Sequence, residues 1–269
     1  MFIEHGLGKA DIEYISGCCE MPDWGGKDME KEVVIVTGGT RGLGAAISKH
    51  LKFLGNTVIA TYATDSEAAH KFESETGIST MQFDIKNMQA CQAALALIKE
   101  ELGPCSVLIN NAGVNVDATV SSIESHQWDQ VIRTNLDGCF NMTKVVWADM
   151  KKSEFGRIIH IGSVVSRLGG IGISNYVASK AAIEGFSRSI ASEGARYGIT
   201  SNVIAPGYLD TGMGREIPAK LKERLLGAIP MKRFGATDEI VHAVSFLMDR
   251  CSSYMTGITL PINGGLSFD

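Results

Sequence analysis

From residue 32 onward, short runs of β-branched and apolar residues alternate with longer stretches in which apolar positions recur every three or four residues. The runs are EVVIVTGG (32–39), NTVIATY (56–62), STMQFD (79–84), SVLINNAG (106–113), GRIIHIGS (156–163) and ITSNVIAPG (199–207). Each has the length and composition of a short buried strand. Between them, LGAAISKHLKFLG (43–55) and SEAAHKFESETG (66–77) carry helical spacing, as do the stretches near 87–102, 121–152 and 175–198. Repeated strand–helix units with apolar strands predict an α/β fold, a doubly wound parallel sheet of Rossmann type covered by helices on both faces. No repeat or low-complexity linker interrupts the series, so 29–269 is expected to form a single domain. Residues 1–28, rich in glycine and charge, read as an N-terminal leader, either flexible or packed through Tyr14 and Trp24, with Met29 as an alternative start.

Composition narrows the function classes. Of the 269 residues, 45% are hydrophobic and 20% charged, an ordinary globular balance. The formal net charge of −5 and the scattered basic residues give no footprint for nucleic acid or an anionic membrane surface. No apolar run approaches the roughly 18–20 residues that span a bilayer, and the first twenty residues lack the basic start and apolar centre of a signal peptide, so a cytoplasmic protein is expected. The six cysteines show no CxxC and no His/Cys ligand spacing, so no metal is expected. The adjacent Cys18 and Cys19 read as an incidental pair in the leader or as a redox pair.

Two stretches carry candidate chemistry. In NYVASKAAIEGF (175–186), Tyr176 and Lys180 stand four residues apart, neighbours on one helical face among small residues. They read either as a surface pair or as two polar heads sharing one site. The first predicted strand runs into TGGTRGLG, with Gly38, Gly42 and Gly44 immediately before a helix. Glycine permits the tight turn and the close approach of a pyrophosphate, and the helix N-terminus favours its charge. In VIATYATD the positions 60–64 are neutral and the acid, Asp65, comes late, whereas a 2′-hydroxyl site places an acid at the end of the second strand. Arg41 in the glycine turn can meet a 2′-phosphate with a forked guanidinium. The cofactor expected is therefore NADPH/NADP+; the alternative for Arg41 is a solvated loop charge.

TGGTRGLG, NNAG (110–113), Asn135 in RTNLDG, Ser163 in HIGS, YVASK (176–180) and APG (205–207) together resemble, in order and spacing, the short-chain dehydrogenase/reductase family over residues 30–269. The closing segment from IPMKRFGATDEIV to the C-terminus is similar to the 3-oxoacyl-[acyl-carrier-protein] reductases and their acetoacetyl-CoA reductase relatives. The resemblance implies a catalytic set of Asn135, Ser163, Tyr176 and Lys180. In it Tyr176 donates a proton to the carbonyl oxygen, a neighbouring ammonium from Lys180 favours the ionised phenol and holds the nicotinamide ribose, Ser163 hydrogen-bonds the same oxygen, and Asn135 holds a water leading to Lys180. It also implies a cofactor set: Gly38, Thr40, Arg41, Leu43 and Gly44 in the glycine turn, Tyr62 and Ala63, Asp84 and Ile85, Asn111, Ala112 and Gly113, Tyr176 and Lys180, and Pro206, Gly207, Leu209 and Thr211.

By the same resemblance, the stretch from Leu209 to Pro230 reads as a substrate lid, with Gly212 and Gly214 as hinges and Met213, Ile217 and Leu221 as its apolar side; an ordinary packed helix shows the same stripe. The implied activity is NADPH-dependent reduction of a 3-oxoacyl thioester, carried on acyl carrier protein or CoA, by a homotetramer. One departure bears on the carrier: where those reductases place docking arginines, this chain has Glu154 and Tyr197, with Lys151, Lys152 and Arg196 close by. A free ketone, sugar, steroid or polyketide substrate, or a non-catalytic NADP-binding sensor, remain alternative readings; the absence of a GxSxG elbow and of a Ser/His/Asp order gives serine hydrolysis no support.

Overall fold

The computed structural model describes residues 31–211 and 218–268. The leader with Cys18 and Cys19, the hinge glycines Gly212 and Gly214, and Met213 and Ile217 of the expected lid all lie outside the described residues.

Strand β1 (Val33–Val36) leads through the glycine turn into helix α1 (Gly42–Phe53), followed by β2 (Thr57–Tyr62), α2 (Ser66–Thr76), β3 (Ser79–Gln82), α3 (Met88–Leu102) and β4 (Val107–Asn110). The second half runs through α4 (Ser125–Ile132), a π-helical turn (Arg133–Asp137), α5 (Gly138–Lys152), β5 (Gly156–Ile161), a short α6 (Val165–Leu168), α7 (Ser174–Gly194) and β6 (Ile199–Pro206). Helices α8 (Ala219–Ala228) and α9 (Thr237–Met248) and strand β7 (Thr259–Ile262) close the chain. The strands form one parallel sheet in the order β3-β2-β1-β4-β5-β6-β7, so the winding reverses between β1 and β4.

Side chains alternate across the sheet and build two cores. Val34 and Val36 face α1 and α9, packing with Ile47, Leu51, Ile240, Val244 and Leu247. Ile35, Ile59, Leu108 and Ile158 face the other way, against Ile98 of α3, Met142, Val146 and Met150 of α5 and Ile190 of α7. Burial on both faces explains why the strands read as unbroken apolar runs.

Three elements depart from the sequence reading. The expected helix over 121–152 starts only at Ser125 and is widened midway by the π turn. Helix α6 is too short to show a period. Strand β7 escaped because TLPI contains proline; it is an edge strand paired only with β6, so the missing N–H of Pro261 costs the sheet no interior bond.

Candidate active site

The predicted site residues gather at one edge, the C-terminal ends of the parallel strands, where an open doubly wound sheet presents its crevice. Gly38 to Gly44 follow β1; Tyr62 ends β2 and Ala63 follows it; Asp84 and Ile85 follow β3; and Asn111, Ala112 and Gly113 follow β4. Ser163 follows β5, Pro206 ends β6, and Gly207, Leu209 and Thr211 continue from it. Tyr176 and Lys180 reach this edge from the first turns of α7, and Asn135 from the π turn.

The turn after β1 is built for close approach. Gly38 has φ +61°, in the left-handed region. A Cβ at Gly44 would collide with the Gly38 carbonyl and lie 2.6 Å from Asn111 Nδ2. Gly39, which the motif spacing did not single out, is as tight: a Cβ there would meet Ser48 Oγ and the Val36 carbonyl at 2.8 Å. The start of α1 has no side-chain cap and no acid in its first turn, so its orphan N–H groups and dipole are left for an anion. Asn111 Nδ2 donates to the carbonyls of Thr37 (2.9 Å) and Gly38 (3.1 Å), while Thr37 Oγ1 accepts the N–H groups of Asn111 and Ala112, both at 3.0 Å. The buried Thr37 thereby stitches the β1 turn to the β4 turn, a role that a lone threonine in a strand end does not advertise. Thr40 is buried beside it and Leu43 half-buried.

Charge around this cradle is arranged simply. Arg41 is exposed at the N-cap of α1, and its guanidinium makes no ion pair or hydrogen bond among the described residues. Asp65 caps α2, accepting the Ala68 N–H at 3.1 Å. Asp84 is exposed and turned to Lys86, accepting its N–H at 2.9 Å with Nζ 3.4 Å from Oδ2. Ile85 is buried, and its carbonyl accepts Asn141 Nδ2 at 2.8 Å.

The Tyr176–Lys180 pair is not a surface pair. Lys180 is 4% exposed; its Nζ donates to the Ile161 carbonyl at 2.7 Å and lies 5.6 Å from the Tyr176 ring centre. Gly113 packs beside it, where a Cβ would sit 3.5 Å from Nζ and 3.3 Å from Asn135 Oδ1. The Tyr176 hydroxyl has no hydrogen-bond partner among the described residues. Ser163 is half-buried; its Oγ accepts the Val165 N–H at 3.4 Å, and its own proton has no acceptor there. Two hydroxyl protons are therefore unspent at this edge.

Tyr176 is held from both sides by residues that the sequence reading passed over. Asn175, fully buried, accepts the Tyr176 N–H on Oδ1 (2.7 Å) and donates Nδ2 to the Val116 carbonyl (3.0 Å). Ser179 Oγ donates to the Tyr176 carbonyl (2.8 Å) and accepts Asn135 Nδ2 (3.0 Å). Asn135 also binds both backbone groups of Val114, accepting the N–H at 2.8 Å and donating to the carbonyl at 3.0 Å. Both of its amide N–H groups and one acceptor site of Oδ1 are thus used in tying the segment after β4 to α7. Both Asn175 and Ser179 stand inside NYVASK, so their nearness to Tyr176 was the available signal.

Beneath the site runs a buried polar ladder. Asn110 Nδ2 reaches Thr143 Oγ1 (3.4 Å) and His160 Nδ1 (3.2 Å), and His160 Nε2 faces Ser201 Oγ (3.3 Å), which faces Ser187 Oγ (2.9 Å). Because an amide N–H can only donate, Nδ1 is the acceptor and the ring proton sits on Nε2. Burial, and secondarily the charge of Lys180, holds His160 down to about 3, so the ring is neutral.

Farther along α7, about 24 Å from Tyr176 at 1.5 Å per residue, a cavity of about 280 Å³ is lined by Trp147, Lys151, Ser192, Glu193, Arg196 and Tyr197. Lys151 and Arg196 lie 4.4 and 4.7 Å from the Tyr197 ring centre and hold its phenol below the usual range, the Lys151 hydrogen bond contributing most. Among the described residues no group of three or more His, Cys, Asp or Glu is placed to hold a metal. Burial pushes the thiols of Cys91 and Cys139 up to about 11 and that of Cys105 to about 12. No helix of the described residues is long and apolar enough to cross a membrane.

Comparison with known proteins gives the family. A family model described as short chain dehydrogenase matches residues 32–222. An acetoacetyl-CoA reductase of Shinella zoogloeoides is 46% identical over 237 residues, 88% of this chain and 98% of that protein. An acetoacetyl-CoA reductase of Paracoccus denitrificans is 45% identical over 239 residues, covering 88% and 99% of the two chains. A 3-oxoacyl-[acyl-carrier-protein] reductase of Pseudomonas aeruginosa is 39% identical over 243 residues, covering 88% and 98%.

Proposed function

This chain belongs to the short-chain dehydrogenase/reductase family, and from that premise we propose that it is an NADPH-dependent ketoreductase converting a 3-oxoacyl thioester to the 3-hydroxyacyl product, with CoA as the carrier. The observation that carries the reading is the meeting, at one sheet edge, of an uncapped glycine cradle with two unspent hydroxyl protons beside a buried ammonium. The cradle fits a dinucleotide: Gly38, Gly39 and Gly44, where a Cβ would strike neighbouring protein atoms, let the turn fold tightly onto β4 and α1, and the uncapped start of α1 offers its N–H groups to a pyrophosphate. Gly38, Thr40, Leu43 and Gly44 would hold the pyrophosphate and Arg41 the 2′-phosphate. Tyr62, Ala63, Asp84, Ile85, Asn111, Ala112 and Gly113 would line the adenosine, and Pro206, Gly207, Leu209 and Thr211 the nicotinamide.

A bound nicotinamide supplies the hydride that goes to the carbonyl carbon. The chain's own residues handle the oxygen. Tyr176 transfers its hydroxyl proton to that oxygen as negative charge builds there, and Ser163 donates a hydrogen bond to it. The Lys180 ammonium offsets the charge left on the phenol oxygen. With one N–H given to Ile161, it keeps two for the ribose. Asn135, through Ser179 and Val114, fixes α7 against the segment after β4 so that Tyr176 meets the substrate in one orientation.

CoA is favoured as carrier by the relatives of 45–46% identity named acetoacetyl-CoA reductase and by Glu154 at a position where carrier-protein reductases place an arginine. Lys151 and Arg196 around Tyr197 support the second reading, docking of an acidic carrier protein. The test is NADPH consumption with acetoacetyl-CoA, acetoacetyl carrier protein and a panel of free ketones. Highest turnover on acetoacetyl-CoA is expected. Preference for the carrier protein would favour the second reading, and turnover of free ketones alone would overturn both.

A further inference from the structure

Glu184 lies on α7 four residues after Lys180 and eight after Tyr176, on the same helical face. Its side chain is only 7% exposed, an uncommon place for a carboxylate. Both of its oxygens are directed at the turn that carries Ser163. Oε1 accepts the Ser166 hydroxyl at 2.5 Å, and Oε2 lies 3.3 Å from Arg167 Nη2. The Ser166 oxygen also stands 2.7 Å from the Ser163 carbonyl, so its single proton is shared between that carbonyl and Glu184. At the other end of the same turn, Lys180 holds the Ile161 carbonyl. Ser163 is therefore bracketed. The chain two residues before it and three residues after it is fastened to the helix that bears Tyr176.

We infer that Glu184 is a positioning residue for the reduction, fixing the Ser163 hydroxyl relative to Tyr176 by holding Ser166. The inference rests on the reading of Ser163 as the donor to the substrate carbonyl. Stability alone does not separate packing from positioning here, because removing one partner of a buried ion pair is destabilising in either case. Bracketing demands an acceptor at this position. The two side chains and the catalytic tyrosine then move as one rigid piece, and small shifts of α7 carry Ser163 with them.

The test is a cycle of Glu184→Leu, Glu184→Gln and Ser163→Ala, alone and combined, measured for kcat with the panel's best substrate. NADPH dissociation constants and hydrogen exchange of the 161–168 segment accompany it. Glu184→Leu is expected to lower kcat about tenfold, within the roughly 10² that a misplacement of an ångström costs. It should leave NADPH affinity within about twofold and speed exchange in that segment. Glu184→Gln, which keeps an acceptor oxygen for Ser166, should restore most of kcat. In the Ser163→Ala background, Glu184→Leu should lower kcat no further, since both remove the same interaction. Additive losses, or a wild-type kcat in Glu184→Leu, would overturn the inference. An unchanged kcat in Ser163→Ala alone would instead overturn the role of Ser163 on which it stands. If Glu184→Leu does not fold, Ser166→Ala, which removes only the shared hydroxyl, decides by the same non-additivity.

Discussion

At the scale of single residues, Arg41 and Tyr176 carry the sharpest expectations. Among the described residues Arg41 is exposed with no partner, and the first turn of α1 beside it carries no acid, so its charge is available to a 2′-phosphate. Arg41→Ala should weaken NADPH by the roughly 1.5–3 kcal/mol of a charge-assisted hydrogen bond and leave NADH almost unchanged. Dissociation constants for both cofactors decide it, and equal losses would mean that Arg41 only shapes the turn. Tyr176→Phe removes one oxygen from a side chain whose backbone is held by Asn175 and Ser179, so the fold and NADPH affinity should survive. Its turnover should drop by about 10² or more, the scale of a lost general acid; near-normal turnover would take Tyr176 out of the mechanism. These residues were legible because their chemistry shows in a short span. Thr37, His160 and Glu184 were not, because a polar residue's worth as a clamp depends on partners up to 75 positions away.

At the scale of elements, the buried ladder through β4, β5 and β6 makes stability depend on pH. His160 has an ordinary value of 6.5 and is held to about 3 in the folded chain. Below pH 6.5 the unfolded chain takes up a proton that the folded chain refuses. Stability therefore falls as pH drops from about 6.5 toward 3, with a limiting slope of about 1.4 kcal/mol per pH unit. Urea unfolding of wild type and His160→Gln at pH 7 and pH 5 should show a smaller loss in the variant; equal losses would assign the acid sensitivity to other groups. Strand and helix were legible where the period ran unbroken, as in β1, α1 and β5. Pro261 hid β7 because proline argues against a strand everywhere except at an edge, and edge position is fixed only by the whole sheet.

At the scale of the whole molecule, the order of βα units in the sequence was enough to predict the parallel sheet, whose strand ends gather the candidate site residues. Assembly is less visible from one chain. Phe140 on α5 is 45% exposed and packs edge-on against the half-buried Phe186 of α7 at 6.3 Å, so an aromatic pair rooted in the core reaches the surface between two long helices. We propose that this pair meets its copy across a two-fold in a homotetramer, where the exposed Phe140 ring loses contact with water. Light scattering at micromolar concentration should give four times the chain mass, and Phe140→Glu should lower it. A monomeric wild type would refute the arrangement.

The π turn has a consequence for phase. A π turn holds one residue more than an α turn, so Arg133–Asp137 takes up an extra residue while the helix runs on from α4 into α5. Val131 must face inward before the turn and Met142, Val146 and Met150 after it, while Asn135 between them meets Val114 and Ser179. The wide turn works as a slack link: the rod stays continuous on the core side while its widest point carries Asn135. Deleting one residue between 133 and 137 is therefore expected to close the bulge into regular α-helix, leaving Val131 and Met142 on their own faces while Asn135 loses its place opposite Val114 and Ser179.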